Sequence, residues 1–422
     1  MIPRMTTVGS LKGYRYNLQR STFTLNKSIT TVMTGRNFNS FAESPATAAH
    51  SFQLRRAYLR TSSQHDLNES TVRKFEVAYS SMDNVSKVID TDPNSEGAAY
   101  FAILRAKNDP DASARNALGQ ELTAHANDLV QFMNGRYGDN FIFSGADGLN
   151  VPLTWEPTVN PDYDPDFDPT VPDPATGDLP TEEVIAQKTS QYLTSDGVPT
   201  SSKLDAGRTL HYRGVPVNSN DQDDLAKLGY LSKGEKKYVD IGLGYDMNGG
   251  RVESSSVYNV SLQAVNFLGG YGVETRTVTL PADPNDPDAI TEFTFDDLPK
   301  NIVAITDEIG TILQRCSPEN GRFASREDEA RFNALVESFE ESSYRVKDRY
   351  TELTTQAQFL KNNQKQLADN AYTINEQIQA IDYADPAAAI SDLIFAKYCY
   401  DTALKVGNSV LSESLMDYMN FN

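Results

Sequence analysis

The chain has 422 residues, enough for two or three domains, and only 39% of them are hydrophobic, which fits a high ratio of surface to volume. A net charge of -20 without any Lys/Arg run excludes a nucleic-acid backbone or an anionic membrane surface as the partner. No window approaches the roughly 18 apolar residues of a membrane span, and no apolar core follows the basic residues of the first thirty positions, so no cleaved signal peptide is expected.

In chain order, the first signal is a heptad. Leu11, Leu18, Leu25 and Val32 are spaced by seven, with Val8 and Ile29 read on the same side. Gly35, Asn37 and Asn39 interrupt it. Pro45 sits where a first helical turn tolerates proline, and a second helix is expected from there to about residue 90. Its stripe is Val72, Phe75, Tyr79, Met82 and Ile89. A third helix is expected over about 111 to 134, with Leu118, Leu122, Leu129 and Phe132 at helical spacing, after the stop and cap of Asp109-Pro110-Asp111.

The character changes near residue 135. FIFSGADG reads as β with a turn. Residues 156 to 183 form a Pro/Asp tract, either an extended self-repelling linker or a long surface loop. Short strand-like segments then run from about 205 to 297, separated by Gly, Pro and Asn/Asp clusters, and read as a small all-β domain. Helical spacing resumes at Ile302, Ile305, Ile309 and Ile312.

The strongest pattern follows. Phe332, Phe339, Val346, Leu353, Leu360, Leu367, Ile374 and Ile381 stand at strict steps of seven, in a stretch (324 to 382) free of proline and glycine. A second line, four residues later in each heptad, holds Val336, Ser343, Tyr350, Ala357, Gln364, Ala371 and Ile378, and its polar members weaken the seam. The chain end, ALKVGNSVLSESLMDYMNFN, keeps an apolar stripe of Leu404, Leu411, Leu415 and Tyr418 where termini usually turn polar. The expected architecture is mainly α with an inserted all-β domain: an elongated antiparallel helical bundle or coiled coil built from both chain ends. Its parts are a terminal helical pair (1–42 with 386–422), a helical body (43–150 with 300–385) and the insert (151–299).

No constellation points to catalysis, and no cofactor is read. His50, His65, His125 and His211 lack metal-ligand spacing. GLGYDMNGG, 242 to 250, is glycine-rich but is followed by no helix N-terminus, and reads as strand with turns. Asp164, Asp166 and Asp168 have the alternate spacing of a calcium loop, but Pro169 and Ala175 replace the glycine and glutamate such a loop needs, so a solvated acidic segment is the stronger reading. Trp155 reads as a packing anchor. Cys316 and Cys399 read as two small buried residues, with a disulfide between them left open.

Three segments carry a resemblance. VMTGRNFNSFAESPATAAHSFQLR, DPDASARNALGQELTAHANDLVQFMNGRYGDNFIFSG and IDYADPAAAISDLIFAKYCYDTALKVGNSVLSESLMDYM resemble the flagellin family, and within it the hook-associated proteins of the hook–filament junction. YGDNFIFSG and the closing SLMDYM favour the junction type over bulk flagellin, which stays open as an alternative, as does a surface adhesin acting through the β insert. Ala387-Ala388 departs from the family, where an acidic residue is common. The resemblance implies export through the flagellar type III apparatus and an extracellular place in the bacterial flagellum. It also implies ring assembly through the terminal helices. Neighbouring copies, another hook-associated protein, flagellin and a cytoplasmic export chaperone are the expected partners. The residues expected to carry assembly are Leu11, Leu18, Leu25, Val32, Leu404, Leu411, Leu415 and Tyr418.

Overall fold

The computed structural model describes residues 7–40, 42–92, 97–108, 113–171, 179–195, 197–243, 247–248, 251–252, 257–281, 291–317 and 322–419. The fold is mainly α. Ten α-helices are described: α1 (Thr7–Thr34), α2 (Pro45–Ile89), α3 (Ala98–Asn108), α4 (Ser113–Met133), α5 (Glu182–Thr189), α6 (Gln222–Gly229), α7 (Ala264–Phe267), α8 (Ile302–Gln314), α9 (Arg326–Asp382) and α10 (Pro386–Met419). By contact the chain falls into two units, 1–66 with 364–422 and 67–363.

In the smaller unit, α1 and α10 form an antiparallel pair. The turn after α1 bonds the turn between α9 and α10: Asn37 N–H donates to the Asp382 carbonyl at 3.0 Å, Ala384 N–H to the Gly35 carbonyl at 3.0 Å, and Asn37 Nδ2 to the Ile381 and Tyr383 carbonyls at 2.9 and 3.0 Å. Far from that turn, Tyr14 of α1 meets Gly407 of α10. The contact therefore lies 21 residues before Gly35 and 23 after Ala384, the symmetry of two helices running in opposite directions from a shared turn. Gly35 ends α1 at φ +67°, the left-handed conformation that glycine adopts without strain. Asp385 caps α10, accepting from Ala387 N–H at 2.9 Å, and Pro386 occupies the first helical position, where its missing N–H costs nothing.

The larger unit holds one hydrophobic core. Its largest buried side chains include Phe75, Met82, Leu122, Leu129, Phe143, Tyr212, Phe332 and Phe339. At its centre α8 is buried nearly all round: Ile302, Val303, Ile305, Ile309, Ile312 and Leu313 point to every side, the composition of a helix surrounded by protein. α4 reaches α8 closely because both backbones are bare at the contact. A Cβ at Gly119 would stand 2.6 Å from the Gly310 carbonyl, and one at Gly310 would stand 2.9 Å from the Gly119 carbonyl.

The long heptad of α9 faces inward as its spacing predicts. Phe332, Phe339, Val346, Leu353, Leu360 and Leu367 are all buried, while the last two members, Ile374 and Ile381, are half-buried. The polar member Ser343 has a function: its Oγ, fully buried, donates to the Ile89 carbonyl at 3.0 Å and satisfies the open end of α2. Tyr350 stacks on Tyr79 with 5.2 Å between ring centres.

Residues 151–299 are not all-β. They contain α5, α6, α7 and a π-helical turn at Tyr230–Gly234 alongside small antiparallel pairings. Leu153–Pro157 pairs with Arg208–Tyr212, which turns through Arg213 (φ 52°) and Gly214 (φ 80°) into Val215–Pro216, a two-residue hairpin with both turn residues left-handed. Val273–Thr279 pairs with Glu292–Pro299. Leu210, Tyr212, Val217, Leu228 and Val260 lie in the same core as the helices, which is the physical reason these short strands need no sandwich of their own. The helix α3 has no counterpart among the expected elements.

Residues 160–171 of the Pro/Asp tract are a series of turns, a surface loop rather than an extended linker. NPDY, DPDF and DPTV repeat every four residues. In each, the first side chain accepts from the backbone N–H two residues on: Asn160 from Asp162 at 3.0 Å, Asp164 from Asp166 at 3.0 Å, Asp168 from Thr170 at 2.9 Å. This is Asx-turn chemistry with proline fixing the next φ. Asp164, Asp166 and Asp168 do not converge as a group that could share one ion. Residues 172–178 of the tract, and positions 244–246 and 249–250 of the glycine-rich stretch, lie outside the described residues. Cys316 is buried, Cys399 is exposed, and both are free thiols. No described helix is long and apolar enough to cross a membrane.

Candidate assembly surface

The α1–α10 pair is built in an unusual sense. On α10 the positions turned inward are Ala389, Leu393, Ala396, Tyr400, Ala403 and Gly407, at alternating steps of four and three. On α1 they are Tyr14, Leu18, Ser21, Leu25, Ser28 and Val32, with the same alternation. Half of these positions are small (Ser21, Ser28, Ala389, Ala396, Ala403 and Gly407), and the two helices meet closely at Gly407. A Cβ at Gly407 would stand 2.0 Å from Tyr14 Oη.

Apart from Leu393 and Tyr400, most large apolar residues of α10 point the other way. Ile390, Ile394 and Tyr398 are spaced by four on the opposite face, and Phe395 and Val406 flank them. Phe395 is 68% exposed and Tyr398 69%. On α1 the aromatic residues Tyr16 and Phe23, one heptad apart, are also exposed, and so is Met33 at 81%. On the first half of α2, Phe52 and Leu59 are exposed. These exposed apolar side chains recur at helical spacing rather than singly.

The expected assembly residues divide accordingly. Leu18, Leu25 and Val32 sit half-buried in the α1–α10 seam. Leu11 is exposed, and Ile29 points outward rather than to the seam. Leu404 is exposed and lies beside the seam, so it does not face α1. Leu411, Leu415 and Tyr418 belong to the last turns of α10, and their side chains, like that of Val8, lie outside the described residues. The small residues that make the seam were legible as Ala389, Ala396 and Ala403 at steps of seven followed by Gly407, a pattern hidden by attention to the larger side chains.

Charge is also unevenly placed. α1 carries Lys12, Arg15, Arg20 and Lys27 and no acidic residue, within a chain of net charge -20. At the turn that joins the pair, Asp382 is buried, which by itself would raise its pKa. Hydrogen bonds from Ser51 and Arg55 hold the carboxyl below its usual range. Arg55 and Asp382 form a close ion pair.

The larger unit has a separate polar cleft of about 830 Å³. Arg208 organises it, gripping the Asp307 carboxylate through Nε at 3.1 and 3.2 Å, reaching Asn127 at 2.9 Å and lying 4.4 Å over the Trp155 ring. Burial pushes Asp307 upward against the pull of Arg208, and it pushes Glu308 upward against Arg331. Each of these carboxylates therefore has a cation in hydrogen-bond contact, the arrangement of a structural clamp.

No family model matches the chain, and no curated protein matches it. Its fold is similar to solved structures at low identity. A Vibrio parahaemolyticus structure described as a flagellar hook-associated protein is 11% identical, with a TM-score of 0.45, over 81% of this chain and 100% of that one. Xanthomonas campestris FlgL is 11% identical, with a TM-score of 0.41, over 78% of this chain and 99% of that one. Flagellar hook associated protein-3 of Legionella pneumophila is 11% identical, with a TM-score of 0.41, over 78% of this chain and 98% of that one.

Proposed function

We propose that the chain is a structural subunit of the bacterial flagellum, assembling with copies of itself as a ring at the junction of hook and filament. The observation that carries this reading is the α1–α10 pair: outside its seam, large apolar residues of both helices face outward, Tyr16, Phe23 and Met33 on α1 and Ile394, Phe395 and Tyr398 on α10. Burying one such side chain contributes about 1.5–3 kcal/mol, so a handful covered by a neighbour suffices for stable association. The all-basic charge of α1 supports the same reading, because a neighbouring copy of a chain with net charge -20 offers it an acidic surface.

The sequence resemblance supplies the finer terms. Another hook-associated protein on the hook side and flagellin on the filament side are the proposed neighbours. The unfolded chain leaves the cell through the flagellar type III apparatus, with a chaperone over the apolar C-terminal helix before export. Leu11, Leu404, Leu411, Leu415 and Tyr418 are proposed as contacts between copies, and Leu18, Leu25 and Val32 as support for the helix pair.

The test is immunogold labelling of intact flagella together with deletion of the gene. Label as a single spot at the hook–filament boundary, and a deletion strain that builds hooks but sheds flagellin monomers, are the expected results. Label along the whole filament assigns the chain to bulk flagellin instead. Normal filaments in the deletion strain overturn the proposal.

A further inference from the structure

We propose that a pocket of about 210 Å³ in the larger unit, between Lys74 and Lys237, binds a small tetrahedral oxyanion: phosphate or the phosphoryl group of a monoester. The pocket is lined by the α2 residues Ser70 and Lys74, by Tyr137 and Asn140 of the hairpin that follows α4, by Gly145 and Gly148 beyond it, and by Lys237. Among the described residues, no aspartate or glutamate lines it, in a chain with 58 acidic residues.

The two cations lack a counter-charge. Lys74 Nζ donates to the Val260 carbonyl at 2.8 Å and makes no ion pair among the described residues. Lys237 makes no side-chain hydrogen bond or ion pair among them, and its carbonyl accepts from Val260 N–H at 2.8 Å, so one residue bridges the two lysines. Three acidic groups near the rim are already paired. Glu69 pairs with Arg73 at 2.6 Å, and Asp147 and Glu235 both pair with Arg213, at 3.3 and 2.6 Å. Burial and the neighbouring Lys237 lower the pKa of Lys74, as expected for a desolvated cation facing another cation. An anion between them offsets both penalties.

The donors fit a tetrahedral group better than a carboxylate. Besides two ammonium groups, the hydroxyls of Ser70 and Tyr137 and the amide of Asn140 line the pocket, and none makes a side-chain hydrogen bond among the described residues. Five donor groups exceed what the two oxygens of a carboxylate take up and match the several lone pairs of a phosphate.

Calorimetric titration of the full-length chain with inorganic phosphate, at fixed ionic strength set with chloride, tests this. One saturable site is expected, weakened at least tenfold by Lys74→Met and by Lys237→Gln. Phosphate should also raise the melting temperature of the parent chain and leave that of Lys237→Gln unchanged. Lys237 is exposed, so its variant decides the matter even if Lys74→Met fails to fold. Glycerol 3-phosphate, titrated in parallel, separates the sources: tighter binding than phosphate points to a phosphoryl group on a larger molecule, weaker binding to the free ion. No saturable heat in the parent chain, or an affinity unchanged in Lys237→Gln, overturns the proposal.

Discussion

The two units use one spacing in opposite ways. In the larger unit the heptad of α9 turns Phe332, Phe339, Val346, Leu353 and Leu360 inward, and the core they enter is closed within the chain. In the smaller unit the same alternation of threes and fours turns Ala389, Ala396, Ala403 and Gly407 inward and leaves Ile394, Phe395 and Tyr398 in solvent. Periodicity therefore says that a helix has a partner face, while side-chain size says which face the chain itself can fill. A seam with small residues at half its positions brings backbones close and buries less apolar area than one filled by Phe and Leu. The larger unit should be stable alone, and the smaller one should gain stability when its outer face is covered.

That contrast can be broken at several places. The largest effect is expected at the core of the larger unit, where Phe339→Ala should lower unfolding stability by about 3–5 kcal/mol in urea titrations. A comparable loss at Phe395→Ala in the isolated chain would erase the distinction between the units. Removing Arg208 should cost a similar amount, about 3–5 kcal/mol for Arg208→Met, because Asp307 is left buried without its cation. The sign of its pH dependence follows from burial. Without the guanidinium, the folded carboxyl holds its proton at pH values where the unfolded one has lost it, so the deficit should shrink on acidification toward pH 4.

Lys74 gives a second titration. Burial first, and Lys237 second, bring it from 10.5 to about 8. Between those values the unfolded chain keeps a proton that the folded chain releases, so stability gained from this group rises as pH climbs, by at most about 3 kcal/mol. Lys237 and Tyr137 are the titratable groups that share its pocket. Lys74→Met should therefore be more stable than the parent at pH 7 after allowance for the lost Val260 hydrogen bond, with the gap closing by about pH 10.5 in paired melting curves.

The close approaches sharpen the comparison further. Gly310→Ala should cost about 1–3 kcal/mol, since its Cβ meets the Gly119 carbonyl and Thr123, and both are held by helices. Gly407→Ala should cost less, because the obstructing atoms belong to the far end of the Tyr14 side chain, which can swing outward. The smallest effect on the monomer belongs to the outer face. Phe395→Asp with Tyr398→Asp should change its unfolding stability by no more than about 0.5 kcal/mol yet abolish assembly into flagella. Retained assembly in that variant would remove the function proposed for the face.

Much of this was legible in the residues. The start of α2 at Pro45, the long α9 and the helix at Ile302 follow from periodicity, proline placement and the absence of helix breakers. The stop at Gly35 follows from glycine's access to the left-handed region. The turns of the Pro/Asp tract are also present in the sequence as NPDY, DPDF and DPTV, since an Asx side chain before proline makes its own local hydrogen bond. Composition alone leaves an extended linker and a long surface loop both open, because it counts charges and ignores the four-residue repeat. The segment 151–299 read as an independent β domain because short strands leave the same signature whether they pack on each other or on helices. The destination of Tyr212 and Leu210, a core shared with α4 and α8, depends on contacts between residues far apart in the chain.

What the sequence determined by itself is therefore local and periodic: where helices begin and end, which positions share a face, and the excess of cations on α1. These depend on neighbours within a few turns. Tertiary structure decided which of two faces α10 gives to α1: the one carrying Ala389, Ala396, Ala403 and Gly407, with Gly407 against Tyr14. It also gave Ser343 its role as the cap of Ile89. Lys74 and Lys237 came together the same way: more than 160 residues separate them, and their proximity exists only once the strands beside Val260 settle on α2.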